Sequence, residues 1–311
     1  MARLHVEGWA PEYGASVEPE EALSPAEGSV DVDVEDRAWE PILGVDDGVP
    51  LVAFVDGVRR IDARLLLDDA SGPVPGICGS FAAGAVVWDR RSRRSEISVR
   101  TVERMAILAD GHAPELPVLP EWLEYRASSV ADDDPASLIS ALHDAMRRAE
   151  AVIAEELADS GQFVVADGPL YEYTRNDKMG YVKSHRRSYL PDPTIVGLLP
   201  RAHRTPLFTI GDGRYRRYSW YLRLIDRGDD HSWAGIVRCE ASGALDRSSV
   251  ITIADRSAAV LPMVASEAHI DPRAPQNLVP IAALERDLRH RLGDPGLVLR
   301  ALRDVMARAA A

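Results

Sequence analysis

Apolar and polar positions divide this 311-residue chain into short apolar runs first and longer amphipathic stretches later. The run Leu51-Val52-Ala53-Phe54-Val55 closes on Asp56-Gly57 and predicts a buried strand. Strand-like runs at 60–67, 80–88 and 96–102 follow, so three or four antiparallel strands are expected first. Asp134 and Pro135 then supply an N-cap and a first-turn proline. Leu138, Leu142, Met146, Ala149, Ile153 and Leu157 recur at helical spacing before Ser160-Gly161, which predicts a helix from 135 to about 157. The next apolar run, Phe163-Val164-Val165-Ala166, again ends on an acid and a glycine, Asp167-Gly168. Further strands are predicted at 206–210, 218–225 and 233–239, and helices at 277–292 and 295–309, split by Gly293-Asp294-Pro295.

Two apolar runs thus each deliver a carboxylate. Acids held rigidly at strand ends and close together repel unless they share a proton or bind a cation, so a hard divalent metal is the first chemical hypothesis. Each Asp-Gly also reads as an ordinary turn, and that alternative stays open on the residues alone. Between them, Glu150 flanks the apolar stripe of the predicted helix one turn after Met146, where a carboxylate is close to burial; Glu156 also lies near the stripe.

Composition narrows the classes. At 46% hydrophobic the chain can bury a sizeable core. No run approaches the ~20 apolar residues of a membrane span and the first residues lack a signal-peptide segment, so a cytoplasmic protein without membrane association is expected. Cys78 and Cys239 each sit in an apolar segment and read as core thiols. The net charge of −13 excludes a surface that attracts nucleic acid everywhere. Charge is uneven, however: acid gathers over 7–47, whereas 175–227 carries twelve Arg and Lys against four Asp. Tyr181, Phe208, Tyr218, Trp220 and Tyr221 interleave with those bases. Such a mixture suits a groove that grips phosphates and stacks bases, and equally a solvated face whose aromatics turn into a core.

Strand, strand, strand, helix, strand resembles the opening of the ribonuclease H-like fold, an α/β architecture with a mixed sheet and flanking helices. More specifically, the sequence resembles the NurA family of DNA-repair nucleases. Asp56-Gly57, Glu150, Asp167-Gly168, Pro262 and His269 fall in that family's order and spacing, and Gly180-Tyr181-Val182-Lys183-Ser184 matches its Gly-x-x-Lys-Ser segment. Leu261 stands where the family has tyrosine. The resemblance implies a NurA-like nuclease domain with a ribonuclease H-like core over 48–292; an acidic N-terminal arm over 1–47 and a C-terminal helix over 293–311 are expected outside it. It also implies Mn²⁺- or Mg²⁺-dependent hydrolysis of DNA phosphodiester bonds, with Asp56, Glu150, Asp167 and His269 at the metal and Lys183 at the scissile phosphate. The implied partners are a second copy of the chain, as a homodimer, and a HerA-like hexameric ATPase. Leu261 keeps a second reading open, a DNA-binding or assembly subunit with little activity. The arm, with its alternating Val30, Val32 and Val34, is expected to pair with a second subunit or with the ATPase.

Overall fold

The structure is a computed structural model that describes residues 3–6, 29–70, 72–170, 178–183, 189–213 and 216–309. Its strands are β1 (Arg3–Val6), β2 (Val30–Asp31), β3 (Ile42–Leu43), β4 (Leu51–Asp69), β5 (Gly72–Asp89), β6 (Arg94–Leu108) and β7 (Arg126–Ser129), then β8 (Phe163–Asp167), β9 (Lys178–Val182), β10 (His203–Arg204), β11 (Phe208–Ile210), β12 (Arg217–Arg223) and β13 (Ile236–Ser242). Helix α1 (Pro135–Asp159) precedes β8, α2 (Thr194–Leu198) precedes β10, and α3 (Arg247–Val260), α4 (Val279–Arg291) and α5 (Pro295–Ala309) close the chain. One mixed sheet runs in the order β2-β11-β12-β13-β9-β8-β4-β5-β6-β7, so the molecule is mixed α/β. β4, β5 and β6 pair antiparallel, while β8 lies parallel to β4 on one side and to β9 on the other.

The expected break after Asp56 does not exist. The two predicted strands at 51–56 and 60–67 are one strand, β4, which continues through Gly57 to Asp69. Gly57 is there for clearance: a Cβ on it would lie 2.3 Å from Glu150 Oε1 and 2.8 Å from Met146 Cγ on α1. A glycine that lets a helix approach a sheet looks, in sequence, like a glycine that turns the chain. Asp56 nevertheless marks an end, because the parallel ladder between β4 and β8 stops at Val55↔Ala166. Both carboxylates therefore emerge where two neighbouring parallel strands part.

Strand alternation assigns the faces. Val52, Phe54 and Val58 of β4, Phe163 and Val165 of β8, and Met179 and Tyr181 of β9 share one core with Ile281, Leu284 and Leu288 of α4. Ala53 and Val55 of β4 and Val164 of β8 pack on the opposite face against Ile153 and Ala154 of α1. Helix α1 starts as expected, with the Asp134 side chain accepting from Ala136 N and Pro135 in the first turn.

The basic, aromatic-rich stretch is largely internal. Phe208, Tyr218, Trp220 and Tyr221 are core residues. Arg204 is buried between Glu35 and Asp255, Arg217 pairs with Glu240, and Arg223 donates to the carbonyls of Leu199, Ala234, Gly197 and Ser232. Among the described residues the aromatics of 175–227 turn into a core, the second of the two readings of that stretch, while Arg175, Arg186, Arg187 and Arg214 lie outside the described residues. Part of the acidic arm belongs to the sheet, with β2 on β11 and β3 on β10, while 7–28 also lies outside the described residues. Cys78 and Cys239 are buried and free, as expected. No helix among the described residues is long and apolar enough to cross a membrane.

Candidate metal centre

Asp56 shares its face of β4 with Phe54 and Val58, and Asp167 shares its face of β8 with Val165, so alternation turns both toward α4. There they meet Glu285, which lies one turn after Ile281 and one before Arg289 on the inner side of that helix. Each of the three offers a carboxylate oxygen, and these oxygens all lie within 4.8 Å of one another. Asp56 and Glu285 are buried and Asp167 is partly so.

Cations and donors frame this cluster unevenly. Lys183, just beyond β9, donates from Nζ to Asp167 Oδ2 at 2.6 Å and to Asn277 Oδ1 at 2.8 Å. Asn277 is fully buried and donates from Nδ2 to Asp271 Oδ2 at 2.7 Å, which orients its oxygen toward the lysine. Arg273 grips Glu285 with two bonds, Nη1 to Oε1 at 2.9 Å and Nη2 to Oε2 at 2.6 Å. Asp56 has far less. Its Oδ1 accepts from Gly57 N at 2.8 Å, and its Oδ2 is buried with no hydrogen-bond partner among the described residues. Burial, then the charge of Asp167, with Glu150 and Glu285 adding to it, drives the Asp56 carboxyl well above its ordinary pKa, against the pull of Lys183. Burial works to lower the Lys183 pKa, but Asp167 and Asp56 outweigh it and hold the ammonium charged.

An orphaned carboxylate oxygen facing two further acids is a poor arrangement for a protein alone and a suitable one for a hard cation. The donor set, three carboxylates without sulfur or imidazole, fits Mg²⁺ or Mn²⁺ better than a soft metal. Gly180 shapes the neighbouring turn, since a Cβ there would lie 2.9 Å from Glu240 Cγ and 3.0 Å from Gly168 O.

Of the residues expected from sequence, the structure brings Asp56, Asp167 and Lys183 together. Glu150 is buried, as its position on the stripe suggested, while Glu156 is exposed. It packs on the α1 face of the sheet beside Gly57 and is held by Arg147 Nη1 at 3.0 Å, so its charge reaches Asp56 while its oxygens are no part of the cluster. His269 is not brought to the cluster either. Its side chain is 74% exposed in a loop and stands 3.3 Å from Glu267, the environment of a surface histidine. Leu261 is fully buried in the main core and supplies no phenol. Glu285 is absent from the residues expected from sequence, although it carries the signal that singles out Glu150: an acid on the apolar side of an amphipathic helix, between Ile281 and Leu288.

No family model and no curated protein matches the sequence. Among solved structures, the chain is similar to the NurA nuclease from Sulfolobus solfataricus, with TM-score 0.46 and 13% identity over 82% of this chain and 85% of that one. It is also similar to human endonuclease V, with TM-score 0.35 and 12% identity over 79% of this chain and 87% of that one.

Proposed function

We propose that this protein is a divalent-metal-dependent nuclease that hydrolyses DNA phosphodiester bonds in end processing, with Asp56, Asp167 and Glu285 holding Mn²⁺ or Mg²⁺. The observation that carries the proposal is Asp56 Oδ2, buried without a donor within a cluster of three acids. Bound there, such a cation would activate an attacking water and stabilise the leaving oxygen. The chain's own groups do the rest. Lys183 presents a compact positive charge at the cluster edge, suited to a phosphate oxygen, and Asn277 aims it. Arg273 steadies Glu285 by donating to both of its carboxylate oxygens, with the outer side of the guanidinium toward solvent. Glu150 acts on Asp56 through its charge, and His269 stays outside the proposed ligand set.

The order β6-β5-β4-β8-β9, antiparallel then parallel, with α1 before β8, supports a ribonuclease H-like reading of the core. The motif resemblance further supports a homodimer that works with a HerA-like hexameric ATPase.

A second reading has its own support: Lys183 and Arg273 already neutralise two of the three acids, as befits a DNA-binding or assembly subunit without cleavage. Labelled single- and double-stranded DNA, incubated with the purified protein in Mn²⁺, Mg²⁺ or chelator, with and without the ATPase, separates the two. Cleavage should require metal and fall by orders of magnitude in Asp56→Asn and Asp167→Asn. Equal cleavage in chelator would sink the proposal, and DNA binding without cleavage under every metal condition selects the subunit.

A further inference from the structure

Beyond Lys183, a substrate path on a molecule of net charge −13 needs further exposed cations, and the described part of 175–227 supplies few of them. Of that stretch, the described arginines that reach solvent are Arg201, Arg216 and Arg227, while Arg204, Arg217 and Arg223 are consumed inside the fold.

The outer side of α4 is different. Arg286, Arg289, His290 and Arg291 are all exposed on this one helix. Arg286, Arg289 and His290 stand three and four residues apart and so share a face. Arg289 Nη2 lies 3.4 Å from Glu285 Oε2, the same carboxylate that Arg273 grips at 2.6 Å. Arg100 of β6 and Arg291 both reach Asp287 at 2.8 Å, which extends the strip away from the cluster and onto the adjoining strand. Height separates the signs: the Arg289 and Arg273 side chains are 60% and 49% exposed, whereas Glu285 beneath them is 7% exposed. A ligand approaching from solvent meets guanidinium groups first. The acids serve to hold those groups upright, the arrangement that makes planar, bidentate phosphate contacts inexpensive in side-chain entropy.

We propose that the nucleic-acid backbone runs over this α4 strip, from Arg273 and Arg289 beside the metal cluster outward past Arg286 and Arg291 to Arg100. The partner class follows from continuity. The strip begins on a carboxylate of the cluster itself, so phosphates flanking the scissile one fall on it. The proposal rests on the nuclease reading and adds the path of the substrate to it.

The test is equilibrium binding of a labelled single-stranded oligonucleotide in chelator, where nothing is cut, over a series of salt concentrations. The slope of log affinity against log salt falls by roughly 0.7 for each phosphate contact removed from a single strand. Arg286→Gln/Arg289→Gln/Arg291→Gln should therefore lower the slope by roughly two units, and Arg201→Gln/Arg216→Gln/Arg227→Gln should leave it unchanged. Arg286→Glu alone, at an exposed position, weakens binding with the melting temperature kept, which covers a triple variant that folds poorly. An unchanged slope in the α4 variants, or an equal loss in the comparison variant, overturns the path while leaving the nuclease reading standing. A parent protein that binds no nucleic acid at any salt overturns both.

Discussion

Asp56 is held in a state that an isolated carboxylate avoids, and its neighbours along the chain make it legible in the sequence. An acid that closes a fully apolar run must be buried or near burial, and a second such run ending in Asp167 doubles the signal. Lys183 is legible only through its motif, since nothing in a lone lysine says that it faces an acid. His143 shows what residue type alone conceals. It lies on the buried side of α1, its Nδ1 has no partner among the described residues, and burial, with Arg59 and Arg147 adding their charges, depresses its pKa to about 4. The unfolded chain takes up this proton near pH 6.5 and the folded chain only near 4, so the unfolded state binds more protons in between. His143 therefore contributes full stability above about 6.5, and the contribution is lost as pH falls toward about 4. The whole effect is on the order of 3 kcal/mol. Thermal melts of the parent and His143→Gln across that range should diverge on the acid side, the parent losing more; two parallel profiles would show that no proton is linked to this site.

At the scale of elements, local signals carry through to the fold and distant ones do not. The start of α1 is readable because Asp134 and Pro135 act within one turn, and α4 and α5 fall within a residue or two of their expected limits for the same reason. The sequence divides β4 in two because the reason for Gly57 is α1, a helix that comes much later in the chain. The stretch 175–227 is ambiguous because a buried arginine is identified by its acid, and Glu35 lies 169 residues from Arg204. Arg204 joins three elements: it is part of β10, it holds Glu35 of the arm with two bonds at 2.9 Å, and it holds Asp255 of α3 at 2.7 Å. Its partners keep Glu35 below its ordinary pKa despite burial. Removing one member of a buried pair costs about 3–5 kcal/mol, because the other charge stays behind unpaired. Arg204→Leu should thus lower the melting temperature by on the order of 10 °C, and Arg204→Leu/Glu35→Leu should recover much of the loss. A single variant that melts like the parent would reduce the triad to packing.

For the whole molecule, the proposed metal centre is a long-range object. Asp56 and Asp167 come from two neighbouring strands, Lys183 from the residue after a third, and Glu285 from a helix packed across them, so the cluster exists only when most of the chain is folded. No short motif could reveal its third acid. Glu285 closes the site from α4, and only the packing of Leu284 and Leu288 against the β4–β5 face decides that it does. A site absent from the unfolded chain couples metal binding to global stability. Free metal at a hundred times its dissociation constant adds about 2.7 kcal/mol, a shift of a few degrees for a domain this large. Mn²⁺ should raise the melting temperature of the parent accordingly. Asp56→Asn removes a carboxyl whose ionisation is opposed by burial and by Asp167, with Glu150 and Glu285 adding to it, so this variant should melt above the parent in chelator and respond little to Mn²⁺. Calorimetry of both proteins, with metal and with chelator, makes four measurements in which stability and metal affinity move in opposite directions. An equal Mn²⁺ shift in parent and variant would mean that the ion binds elsewhere and that the three acids serve another purpose.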